Sequence, residues 1–190
     1  MIFIVRLFAI AAVALFCGGC HFENPLTTRP SKDINTWLLG VWECKGKDGH
    51  SSSLRITPLA ADRYSIKASI PGKTPNVWKT YEFEGWISRV EDTNYLTLRC
   101  VQSPGDIPPG AYIFFHTQLL AQNNVRIRAL ELGVPASATS RELRNEVRLR
   151  SKDRLLYDPS KTTDWKRVEE VIWSKDGATP SFKPIRNPTF

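Results

Sequence analysis

The sequence predicts a mainly β protein: an antiparallel meander of about seven strands, closed as a barrel or stacked as a sandwich, followed by one α-helix. Three observations carry that expectation. Apolar and polar residues alternate along several short stretches, the period of a half-buried strand. Those stretches are separated by short polar turns, too short for the crossover that a parallel pair needs. Good helix formers gather behind a capping box in one place, Thr139-x-x-Glu142 ahead of Arg141 to Lys152.

The chain opens on Arg6, an apolar run from Leu7 to Phe16, and the small residues Gly18 and Gly19 ahead of Cys20. That is the layout of a secretory signal with a cleavage site, and the run is too short to cross a bilayer. Cys17-Gly18-Gly19-Cys20 resembles the lipobox of bacterial lipoproteins. The resemblance covers residues 1–20. It implies a signal peptide over 1–19, cleavage before Cys20, acylation of its thiol and new amino group with palmitate-like chains, and a protein held to a membrane by lipid. His21 stands where an Asp in that family marks inner-membrane retention, so the resemblance also implies the outer membrane of a Gram-negative envelope, facing the periplasm. Residues 20–33, with Pro25, Pro30, Thr27, Thr28 and Ser31, read as an acylated tether.

A globular domain is expected over 34–173. Leu38 to Cys44 reads as the first strand, with Trp42 and Cys44 on one face. Leu54 and Ile56, then Tyr64, Ile66, Ala68 and Ile70, give the clearest hairpin. Trp78 to Val90 is a long aromatic strand bent at Gly85, and Tyr95 to Val101 turns Leu96, Leu98 and Cys100 one way. Gln102 to Gly110 is a Pro- and Gly-rich loop, and Asn123-Asn124 joins two further strands. Helix 141–152 follows, with Leu143 and Val147 on one stripe. Asp164 to Trp173 fits a short helix or a last strand. Residues 174–190, with Pro180, Pro184 and Pro188, read as an extended or disordered tail.

Removal of residues 1–19 leaves 171 residues (190 minus 19) and lowers the formal charge from +7 to +6 by loss of Arg6. A basic exported chain meets anionic lipid, lipopolysaccharide, peptidoglycan or acidic proteins, so a nucleic-acid partner is not expected. Cys44 and Cys100 remain after processing, both placed inward by strand alternation. An oxidising compartment favours a disulfide between them.

Catalytic patterns are missing: there is no Gly-x-Ser-x-Gly, His-Glu-x-x-His or phosphate-cradling loop. No metal site or cofactor is expected. His116, in a strand, would be the centre of a hydrolase only with a nucleophile beside it; Glu82 and Glu84 read as a solvated stripe. Arg141, Arg144 and Arg148 recur at helical spacing and could face an anionic partner. Trp42, Trp78 and Trp86 could line a ligand cavity. The run Gly40-Val-Trp42 ahead of a meander resembles the Gly-x-Trp start of lipocalins. The leading expectation is a non-enzymatic, lipid-anchored envelope protein that binds a partner protein or an envelope component through the basic helix and the Gln102 to Gly110 loop. The alternative is a lipocalin-like carrier of a small apolar ligand.

Overall fold

The structure, a computed structural model, describes residues 21–46, 50–72, 74, 77–151, 156–173 and 180–185. The signal segment and Cys20 lie outside them. Strands β1 (Gly40–Lys45), β2 (Ser51–Ala60), β3 (Arg63–Pro71), β4 (Trp78–Val90), β5 (Thr93–Gln102), β6 (Tyr112–Ala121) and β7 (Asn124–Leu130) run as an antiparallel meander. Helix α1 (Ser140–Arg150) follows, then β8 (Tyr157–Trp173) and β9 (Pro180–Pro184). Pairing of β8 with both β7 and β1 closes an eight-stranded barrel, which settles barrel against sandwich. The 164–173 stretch is therefore strand, part of the one that closes the ring. Part of the expected tail is also ordered, since β9 pairs with the end of β8.

Register explains why these residues share one interior. Ile56 faces Ile66, Ile66 faces Phe83, Ile87 faces Leu96, Leu96 faces Phe115 and Val125 faces Trp165. Cross-strand partners lie on one face of the sheet, so each apolar set adds to the next around the ring. One glycine is needed sterically and a second sits in close quarters with side chains. At Gly40, φ is +135° and a Cβ would come within 2.5 Å of the Glu169 carbonyl, where β8 crosses. At Gly85, a Cβ would meet Leu98 at 2.9 Å and Ile66 at 3.0 Å.

A second apolar cluster lies on the outer wall. Val90, Tyr95, Phe114 and Leu130 there meet Leu143 and Val147 of α1 together with Phe22 and Leu26. The helix starts on the expected capping box: the Glu142 carboxylate accepts from the Thr139 N–H at 2.8 Å, and Thr139 Oγ1 accepts from the Glu142 N–H.

Candidate functional site

Residues 21–31, expected to be a free tether, form instead a strap bound along the outer wall. Phe22 and Tyr112 exchange two backbone hydrogen bonds of 2.8 Å, and the Phe22 ring stacks on Phe114 at 5.3 Å. The Glu23 N–H donates to Ala136 O, and Asn24 Nδ2 donates to Ala138 O. Leu26 is fully buried. Thr27 Oγ1 lies 2.7 Å from Ser88 Oγ, which lies 2.7 Å from Thr97 Oγ1, so two fully buried hydroxyls on β4 and β5 are satisfied through the strap. Further on, the Ser31 N–H donates to Ile87 O and the Ile34 N–H to Ala61 O. The chain then makes a 3-10 turn, Thr36–Leu38, and Leu38 joins the interior cluster.

At that end Trp42 is fully buried, with Nε1 donating to Leu38 O at 2.8 Å. The Arg167 guanidinium lies 4.6 Å from its ring and Nη2 donates to Trp37 O. Burial holds the Arg167 pKa below its ordinary value. This stack ties β8 to β1 and to the turn that precedes it.

Of the three tryptophans expected around a cavity, only Trp42 lines one. Trp86 points outward, edge-on to Tyr112 and under Arg63, because it alternates with the inward Phe83 and Ile87 in their strand. Trp78 is 52% exposed on the rim. The interior cavity measures about 30 Å³, between Leu38, Trp42, Phe83, Leu98, Phe115 and Trp165 among others. A pocket for a small organic ligand is about tenfold larger or more, so this interior is filled by its own side chains.

Cys44 and Cys100 are both free thiols, correcting the expected disulfide. Strand alternation places them inward, Cys100 buried and Cys44 packed against the core, but β1 and β5 stand on opposite sides of the ring with three strands between them either way. Eight strands spaced about 4.8 Å apart set opposite walls of a round ring roughly 12 Å apart before tilt widens them, beyond the ~7 Å Cα separation that a disulfide spans. Burial raises both thiol pKa values.

Of the arginines expected to form a cationic stripe on α1, two make contacts with other parts of the fold. Arg144 donates to Leu26 O of the strap and Arg148 pairs with Glu91 at 3.1 Å, while Arg141 lies beside Glu142. Arg144 and Arg148 tie the helix to the strap and to the β4–β5 turn. The loop 103–111 is braced from within: Ser103 Oγ donates to Ile107 O at 2.6 Å, Ile107 is buried in the barrel, and Asp106 accepts from Lys79 at 2.8 Å and Tyr81 at 2.7 Å.

His116 faces outward between Tyr95 and Tyr157, ring centroids 6.0 and 5.4 Å away. Burial, then the charge of Arg128, lowers its pKa. Among the described residues its ring neighbours are these two tyrosines, whose own pKa values are raised by burial. Glu84 is paired with Arg63 and Arg99, and Glu82 with Lys67. Among the described residues no group of His, Cys, Asp and Glu is arranged to hold a metal ion, and no helix is long and apolar enough to cross a membrane. Comparisons with protein-family models, with curated proteins and with solved structures give no match.

Proposed function

We propose that this protein is a non-enzymatic component of the cell envelope, anchored by lipid on Cys20 to the outer membrane and facing the periplasm, whose barrel presents an outer surface to an envelope component. The observation that carries this reading is the filled barrel: with a cavity of about 30 Å³, interior binding gives way to binding on the outside. The loop 103–111 is the candidate surface, since Arg144 and Arg148 of α1 are engaged within the fold. Replacing Cys20 with Ser is expected to move the protein from the membrane pellet to the soluble fraction. Unchanged fractionation together with an unshifted intact mass overturns the anchor.

A carrier of a small apolar ligand is the second reading, favoured by the closed eight-stranded ring and the Gly40-x-Trp42 opening backed by Arg167. Titration with a fluorescent fatty acid separates the two. Saturable one-to-one binding that quenches interior tryptophans supports the carrier; no binding supports the surface module.

A further inference from the structure

Three features converge at one part of the rim. Eight large apolar residues are strongly exposed among the described residues, and three of them, Val77, Trp78 and Val101, flank the loop 103–111. Trp78 immediately precedes Lys79, whose Nζ donates to Asp106 in the loop, and Val101 lies two residues before Ser103. The second feature is charge. Asp106 is the loop's sole ionisable side chain and Lys79 neutralises it, so bringing this rim into a lipid headgroup layer desolvates no unpaired charge of the loop. The third is the path of the chain. Tyr112 directly follows the loop and is bonded to Phe22, which stands two positions after Cys20 in the sequence.

We propose that Val77, Trp78, Val101 and the loop 103–111 seat on the phospholipid bilayer that holds residue 20, an inference that rests on the lipid-anchored reading. Its occupant is the membrane surface itself. A tryptophan ring with exposed aliphatic neighbours matches the boundary between headgroups and acyl chains, where an apolar body and a polar N–H are both accommodated. The bound strap leaves no slack, so this rim is held at the membrane rather than reaching it by diffusion.

The test uses the full chain purified from membranes, with its intact mass recorded, in vesicles of phosphatidylethanolamine and phosphatidylglycerol whose acyl chains are partly brominated. Bromine quenches tryptophan emission at short range. Vesicle-bound wild type is expected to lose emission relative to unbrominated vesicles, and Trp78→Phe should reduce that loss by about threefold, because Trp78 is the exposed tryptophan of this rim among the described residues. An unacylated mass and failure to float with vesicles overturns the anchored reading and this inference with it. Acylated, floating protein with equal quenching in wild type and Trp78→Phe overturns the seating alone. So does a Trp78 shielded from hydroxyl-radical oxidation in intact envelopes yet unquenched on vesicles, which assigns the rim to a protein partner.

Discussion

The molecule holds two hydrophobic clusters built on different terms. Inside the barrel, residues from Leu38 to Trp165 meet through the register of the eight strands. On the outer wall, Val90, Tyr95, Phe114 and Leu130 are covered by pieces that are not barrel strands, the strap and α1. The inner cluster follows from ring closure. The outer one is completed by Phe22 and Leu26 of the strap, so the lipid anchor proposed at position 20 would be coupled to the fold rather than hung from it.

Damage to the inner cluster should be the most severe. Trp42→Ala removes a fully buried ring, the donor to Leu38 O and the face under Arg167, and is expected to cost about 3–5 kcal/mol or to abolish folding, read by denaturant unfolding. Leu26→Ala strikes the outer cluster and should cost about 2–4 kcal/mol, with faster amide exchange in the strap and α1 while the interior strands keep their protection. A loss of protection spread evenly over all strands would show that the two clusters are one. Ser88→Ala leaves the Thr97 hydroxyl without that partner and weakens the strap contact at Thr27, at about 1–2 kcal/mol.

The smallest effect concerns pH. His116 has a lowered pKa in the folded protein, so above about pH 6.5 folded and unfolded chains both hold it neutral and it adds no slope. As pH falls below that value the unfolded chain takes up the proton first, and stability declines until the folded protein also protonates. His116→Gln should flatten the stability profile in that window; an unchanged slope would place the pH dependence elsewhere.

Much of the inner cluster was readable in the sequence, because Leu54, Ile56, Tyr64, Ile66, Ala68 and Ile70 alternate cleanly and their turns are short. The closing strand was legible only as one of two readings, helix or strand. Of its residues along β7, Trp165 is the apolar one that enters the core, and a single tryptophan among Thr162, Thr163, Asp164 and Lys166 carries no period. The strap was missed because Phe22 and Leu26 stand alone in a Pro- and Thr-rich segment. A signal was present across the sheet: Ile113-Phe114-Phe115 is apolar on both faces, as a strand covered on both sides must be. The disulfide shows the limit of facing arguments, since alternation gives the face of Cys44 and Cys100 but not the distance across the ring.

Amide hydrogen exchange at Phe22 and Tyr112 in the full-length protein tests the docking of the strap on the barrel most directly. Their reciprocal 2.8 Å bonds should protect both amides to the level of neighbouring β5 and β6 amides. Exchange of Phe22 at the rate of an unstructured chain, with Tyr112 losing its protection as well, would return residues 21–31 to a free tether and contradict the account.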